Sequence, residues 1–469
     1  MRILFINLCV RRNTPKIIPN VGLTYVMGAA LRAGLDFRLV DVDLYRYSDE
    51  EFDRIIKNNQ CDVVAFGAMV SLFDQVRDIS RRIRRYHPKA TLVLGNTLAT
   101  AATDIVLRET EIDICVLGEG EETFVELMRT MENGGNIEEV TGISYMRNGR
   151  VRRTSNRSIY RDLDKIPLLD FEILEIEKYL TNSRNHVAAP SKLPIKFEEL
   201  RVLPINTARG CPFSCTFCSH AFKGYPYRVR SPENIVAEMK LRKTQYKINF
   251  VNFWDELTFP TMSAAENFAD CLIEEDLGIY WIASVRSELF KGESGATVAR
   301  KLKEAGCHGL AFSLESGSLE ILKAMNKKNS VEDFIRQCAI LREADIDVYT
   351  SIVVGFPQET AETLDETFEV LERAGVYPSV GFLQLLPGTP LYAEALAQGI
   401  FEEKEYLLSM GDRQDLSINL TEFDGASLID YTTKKLIALN QRLNMGLDDN
   451  SLIKTRVWTG SGKREQNRE

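Results

Sequence analysis

No stretch of the chain approaches the run of about 18 apolar residues that a helix needs to cross a bilayer, which argues against a membrane span. Nor is there a basic surplus. Lys and Arg number 58 against 67 Asp and Glu, a net charge of −9 with a pI near 5.4, so nucleic acid and membrane are not expected as partners. An N-terminal h-region is missing as well: Met1-Arg2-Ile3-Leu4-Phe5-Ile6-Asn7 reads as a first strand, and a cytoplasmic location is expected. Histidine is scarce, with only His87, His186, His220 and His308. The nine cysteines are an odd number, which speaks for metal chemistry over a disulfide framework. Against these absences stand 44% hydrophobic and 27% charged residues, the balance of a soluble globular protein, and 469 residues, enough for two or three domains.

Six cysteines (Cys9, Cys61, Cys115, Cys271, Cys307 and Cys338) are scattered among apolar residues and read as small buried hydrophobes. The other three lie in Arg209-Gly210-Cys211-Pro212-Phe213-Ser214-Cys215-Thr216-Phe217-Cys218, a C-x3-C-x2-C spacing that one loop can fold around a single metal centre. Three thiolates suit a 4Fe-4S cluster, which wants four ligands, and leave one iron open. Zinc would need a fourth ligand, for which His220 stands near, and it favours paired C-x2-C halves. A non-catalytic zinc loop is therefore the alternative, separable by colour: brown for an iron–sulfur protein purified without oxygen, colourless for zinc.

This spacing, with the aromatic Phe217 before the last cysteine, resembles the radical S-adenosylmethionine (AdoMet) enzymes. The resemblance implies a cluster on Cys211, Cys215 and Cys218 whose open iron chelates AdoMet and whose electron releases a 5′-deoxyadenosyl radical. It also implies a small-molecule substrate and an external flavodoxin- or ferredoxin-like electron donor.

Residues 1–135 alternate short apolar runs with helical stretches. Strands are expected at Ile3–Leu8, Arg38–Val42, Val63–Gly67, Thr91–Gly95 and Ile114–Leu117, with a polar loop through Pro15 and Pro19 before the first helix. Such βα units imply an α/β fold with a parallel, doubly wound sheet, whose ligands sit beyond the carboxyl ends of the strands. No G-x-G-x-x-G opens the first helix, so a dinucleotide is not expected. The pattern, with Gly118-Glu119-Gly120-Glu121, resembles the Rossmann-like cobalamin-binding domain in front of one branch of the radical family. That resemblance places cofactor contacts at Gly67, Ser71, Gly95, Asn96, Gly118 and Glu119. Asn96 stands where the branch usually has Gly, and Asn tolerates a positive φ. The D-x-H-x-x-G motif that ligates cobalt is absent. The one histidine here, His87, lies at a helix end. Two readings stay open: cobalamin held without a histidine, or a domain that has lost its cofactor.

Residues 136–200 read as a hairpin turning at Asn148-Gly149 and a linker packing across both domains. From Val202 the alternation restarts, with six strands ending near Thr207, Phe253, Ser284, Leu314, Val354 and Leu385, matching the family's partial (β/α)6 TIM barrel over residues 201–400. The resemblance places AdoMet contacts at strand ends. Asp255 and Glu256 would meet the amino group, Ser284 and Arg286 the carboxylate, Glu315 the ribose and Gly355 the adenine. Each also has a plain alternative as a helix cap, a structural ion pair or a turn. Residues 401–469 read as an α-rich segment with a helix at Leu428–Leu443 and a disordered stretch from Gly460 to Glu469, a segment that often closes such a barrel over substrate. Asp424, Tyr431 and Arg442 are its candidates for substrate contact.

The expected function is cobalamin-dependent methylation of an unactivated carbon in a natural-product or other small-molecule substrate. The alternative is a radical dehydratase, deoxygenase or epimerase acting on a sugar-like intermediate without cobalamin, with Cys307 or Glu256 as hydrogen donor or proton acceptor.

Overall fold

The computed structural model describes residues 1–10, 17–448 and 452–453. Pro15 of the first loop and the stretch from Gly460 to Glu469 lie outside the described residues. The first sheet has seven strands: β1 (Ile3–Asn7), β2 (Phe37–Asp41), β3 (Val63–Gly67), β4 (Thr91–Gly95), β5 (Ile114–Val116), β6 (Ile143–Arg147) and β7 (Arg150–Arg153). Their order is β2-β1-β3-β4-β5-β6-β7, with the first five parallel. The hairpin β6–β7 adds to β5 in antiparallel sense, so it belongs to this sheet. Asn148 and Gly149 both take the positive φ, 52° and 71°, that the tight turn requires.

Alternate residues of the central strands face two separate cores, as a sheet covered on both sides demands. Ile3, Phe5, Val63 and Ala65 pack with the helices Val21–Arg32 and Glu121–Glu132. Leu4, Ile6, Val64 and Phe66 pack with Asp49–Asn58, Phe73–Tyr86 and Thr103–Glu109. Helix starts follow the side chains before them: Asn20 accepts the N–H of Leu23, and Ser48 and Glu51 form a capping box. The strand order reverses between β1 and β3, which opens a crevice at their carboxyl ends.

The second sheet is a partial barrel. Strands β8 (Val202–Ile205), β11 (Phe250–Phe253), β12 (Tyr280–Ser284), β13 (Cys307–Ala311) and β14 (Asp347–Tyr349) run parallel, and β15 (Ser351–Val354) pairs with β16 (Ser379–Phe382). β14 and β15 are one strand interrupted at Thr350, and a bridge from Glu315 to Ile352 carries the wall across the break. Helices follow at Pro232–Tyr246, Met262–Glu275, Gly295–Glu304, Val331–Glu343, Ala361–Ala374 and Pro390–Ala397. A two-residue ladder of β9 (Ala208–Arg209) and β10 (Arg228–Val229) pinches the neck of the cysteine loop.

The C-terminal segment runs along the last barrel strand, where Phe382 N–H donates to Arg413 O at 2.7 Å and Gln384 Nε2 to Gly411 O at 3.0 Å, and Leu420 joins the apolar cluster that holds Phe217. Helix Glu403–Ser409 packs on the first domain, where Tyr406 and Leu407 join its core and Lys404 pairs with Glu109. Helix Gly425–Arg442 lies along the outer helix Ala361–Ala374. Asp424 caps it, Tyr431 donates to Asp365, and Arg442 pairs with Glu372, so each is tied within the protein and none lines the cavity described below. Among the scattered cysteines Cys271 is the exception, half-exposed on helix Met262–Glu275.

Candidate functional site: a cysteine loop and a cavity between two domains

The cysteine loop leaves β9 through Gly210, whose φ of 90° needs glycine. Backbone and amide bonds hold it from two sides. Thr216 donates its N–H to Met325 O at 3.0 Å, Asn326 Nδ2 donates to Ser214 O at 3.0 Å, and Leu391 N–H donates to Thr216 O at 3.3 Å. Phe217 meets the edge of Phe356 at 6.1 Å, which anchors the loop in a small apolar cluster. Cys211 and Cys215 are half-buried and Cys218 is exposed.

Burial pushes the Cys215 thiol up, with Glu315 and Cys211 adding and the cations Lys327 and Arg286 opposing. Among the described residues no three His, Cys, Asp or Glu side chains gather around one point as a lone zinc would require. Three thiols spread along one loop fit a cluster, whose cysteines each bind a different iron.

The candidates at the barrel's strand ends divide in their surroundings. Asp255 is corrected: its carboxylate is already consumed by the protein. Oδ1 accepts from Asn206 Nδ2 at 2.6 Å, Thr207 N at 2.8 Å and Ala208 N at 3.0 Å, and Oδ2 accepts from Thr207 Oγ1 at 2.6 Å and Thr258 Oγ1 at 3.2 Å. With no lone pair left for an ammonium, it ties the end of β8 to the end of β11. Burial pushes it up to about 6 against those bonds.

Its neighbour Glu256 lines the cavity and is pushed up to about 7, mainly by burial, with Asp255 adding and the Gly210 N–H and Arg209 opposing. His220 Nδ1 stands 3.8 Å from Glu256 Oε1, and burial with the nearby Lys223 lowers its basicity.

Arg286 lies 3.9 Å above the ring of Phe213 in the cysteine loop, donates to Glu288 at 3.2 Å and to Lys328 O at 2.6 Å, and so points at the loop from β12. Glu315, at a positive φ of 64°, accepts from Lys327 at 2.9 Å. Ser284 donates its N–H to the Thr258 hydroxyl oxygen at 3.3 Å, and Gly355, at φ 103°, donates its N–H to Glu359. Cys307 is corrected: it is buried in the barrel wall, its thiol pushed well up by burial and its sulfur on Gly309 O, so it has no path to a substrate.

A cavity of about 730 Å³ lies between the two domains, over the carboxyl ends of the first sheet. Gly67, Ser71, Gly95, Asn96, Gly118 and Glu119 all line it, opposite Asn206, Arg209, Ser219, His220, Phe222, Trp254 and Glu256 from the barrel. Asn96 takes a φ of 72°. A Cβ on Gly95 would meet nothing within 4 Å, and one on Gly67 only Asn96 Cβ at 3.7 Å. These glycines therefore leave open space in front of backbone, a cradle that fits a flat macrocycle lying over the strand ends. His87 is far from the cavity's chemistry, its Nε2 bound to Ile56 O at 2.7 Å. The two histidines that line the cavity, His186 and His220, come from the linker and the barrel.

Arg209 escaped the sequence reading, although it directly precedes Gly210-Cys211. It is buried and donates to Glu119 Oε1 at 2.8 Å and to Glu121 Oε1 at 2.5 Å; Arg228 donates to the same Glu119 oxygen at 3.0 Å. The Glu119 side chain is thus engaged by the barrel, leaving its backbone to the cavity. The available signal was pairwise: two glutamates in the Gly118–Glu121 turn and two arginines flanking the cysteine loop.

Comparison with known proteins agrees with this anatomy. Residues 205–371 match the family model of the radical SAM superfamily, and residues 8–128 match that of the B12 binding domain. The chain carries a radical SAM domain and, in front of it, a B12-binding domain. It is therefore a radical SAM enzyme, a class that uses a 4Fe-4S cluster and AdoMet. It is similar to an uncharacterised methyltransferase of Pyrococcus horikoshii, 27% identical over 404 residues that cover 86% of this chain and 82% of that protein. It is also similar to the anaerobic magnesium-protoporphyrin IX monomethyl ester cyclase of Rubrivivax gelatinosus, 29% identical over 384 residues, 79% of this chain and 65% of the relative. Its fold is shared by the radical S-adenosylmethionine methyltransferase TsrM of Kitasatospora setae, with a TM-score of 0.68 at 18% identity, covering 85% of this chain and 76% of that one.

Proposed function

We propose that this chain is a cobalamin-dependent methyltransferase that methylates an unactivated carbon of a small-molecule substrate of natural-product type. The observation that carries the reading is a cavity shared by the two domains. Glycine-opened strand ends of the B12-binding domain and polar residues beside the cysteine loop face each other across it. When bound, the cluster and AdoMet would supply a radical for hydrogen abstraction from substrate, and the corrin, methylated in turn by a second AdoMet, would supply the methyl group.

The chain's own residues do the positioning. Cys211, Cys215 and Cys218 hold the cluster, Glu256 faces the AdoMet ammonium, and Arg286 and the Glu315–Lys327 pair flank the loop near Cys215. Gly67, Ser71, Gly95, Asn96 and Gly118 bear on the corrin. The electron comes from an external flavodoxin- or ferredoxin-like protein. A reading without cobalamin leaves the glycine-opened cradle at Gly67 and Gly95 without a purpose.

The test is AdoMet carrying a labelled methyl group, given to the reconstituted, reduced enzyme with a small-molecule extract of the producing cells. Label in a small-molecule product, together with 5′-deoxyadenosine, is expected. Abundant 5′-deoxyadenosine with no label outside AdoMet would sink methyl transfer.

A further inference from the structure

Four observations meet at one point between the domains. Arg209 ends β9 and begins the cysteine loop, yet both carboxylates it binds, Glu119 and Glu121, belong to the turn after β5 that lines the cavity. Arg228, its partner across the β9–β10 ladder, binds Glu119 as well and donates to Tyr160 O. All four side chains are nearly closed to solvent, at 4–9% exposure. Aromatic rings of Tyr25, Phe222 and Tyr160 surround the Arg209 guanidinium at 5.0, 5.5 and 6.0 Å. The contact is also tight at the backbone: Gly118, at φ 67°, lies so close to Tyr225 of the cysteine loop that a Cβ would come to 2.4 Å of its hydroxyl.

We propose that Arg209 is a positioning residue that locks the Gly118–Glu121 turn to the cysteine loop, so that assembling the cluster and ordering the first domain's cofactor turn are coupled. The physical basis is the fork. A guanidinium holds two carboxylates at once in fixed directions, and here the two come from consecutive corners of one turn, so neither the turn nor the loop can shift alone. Burial makes the lock stiff, because parting the ions would strand unpaired charges away from water. Coupling of this kind is reciprocal, so whatever the turn holds would in turn steady the cluster loop. The identity of that occupant as cobalamin rests on the reading above; the lock itself does not.

Hydrogen exchange on the full chain tests it, measured anaerobically before and after cluster reconstitution. In the wild type, cluster assembly should slow exchange at residues 116–124 about tenfold. Arg209→Lys keeps a charge and loses the fork, and should lose that slowing while retaining iron. If Arg209→Lys fails to hold iron, Glu121→Gln cuts one arm only and should show a reduced slowing. Equal slowing in wild type and variant, or none in the wild type, overturns the proposal. Hydroxocobalamin binding in the same samples separates the two claims. Corrin bound by the wild type and weakened in the variant supports both. No corrin uptake by a wild type whose turn still responds to the cluster defeats the cobalamin reading and leaves the lock standing.

Discussion

The two sheets prepare their strand ends in opposite ways. At the carboxyl ends of the third and fourth strands of the first sheet the residues are small: Gly67 and Gly95 expose backbone, and the space in front of Gly95 is open. At the ends of the barrel strands the residues are charged or polar and already tied to one another: Asp255 to the end of β8, Arg286 to Phe213 and Glu288, Glu315 to Lys327. On the proposed function, one domain would receive its cofactor by what it leaves out, the other by side chains held in place beforehand. A large rigid macrocycle needs room and close backbone, whereas a small charged ligand on a cluster needs fixed charges around it.

This contrast breaks most sharply at the cysteines. Cys218→Ala removes one of three protein ligands; iron per chain should collapse and 5′-deoxyadenosine formation fall to background, while the first domain keeps its fold. Retention of a full cluster would mean that another residue binds iron. Next in size is Asp255→Ala, which strands five donors in a buried site and should cost about 2–3 kcal/mol in denaturant unfolding. Unchanged stability with a selective loss of AdoMet affinity would return Asp255 to the role of ligand.

Much of this arrangement was legible in the chain because it is local. The strands stand out as apolar runs, and helix starts at Asn20, Ser48 and Ser231 follow from side chains within three residues of the groups they cap. The cysteine spacing declares a metal loop within eight residues. What was hidden is what depends on distance. Asp255 is satisfied by Asn206, Thr207 and Ala208, 47 to 49 residues earlier, and nothing in Trp254-Asp255-Glu256 announces that. Arg209 finds Glu119 across 90 residues and a domain boundary. Asp424, Tyr431 and Arg442 looked poised for substrate because the tail follows the barrel, but Tyr431 and Arg442 found Asp365 and Glu372 on the outer helix, and Asp424 caps its own helix.

The smallest effect belongs to that outer surface. Arg442 and Glu372 form an exposed pair, so Arg442→Ala should change stability by less than about 1 kcal/mol and leave AdoMet cleavage unaltered. A large drop in cleavage would restore the C-terminal helix to the site.

The central claim, that the cavity between the domains seats a corrin, is met most directly by counting cobalt. Wild type and Gly95→Val are reconstituted anaerobically, incubated with hydroxocobalamin, desalted, and assayed for cobalt and iron per chain. Gly95 has an ordinary negative φ and an open Cβ direction, so valine there is compatible with the fold while filling the cradle. The account predicts about one corrin per wild-type chain and little in Gly95→Val, with equal iron in both. Absence of corrin from the wild type, or equal retention by both, would contradict it.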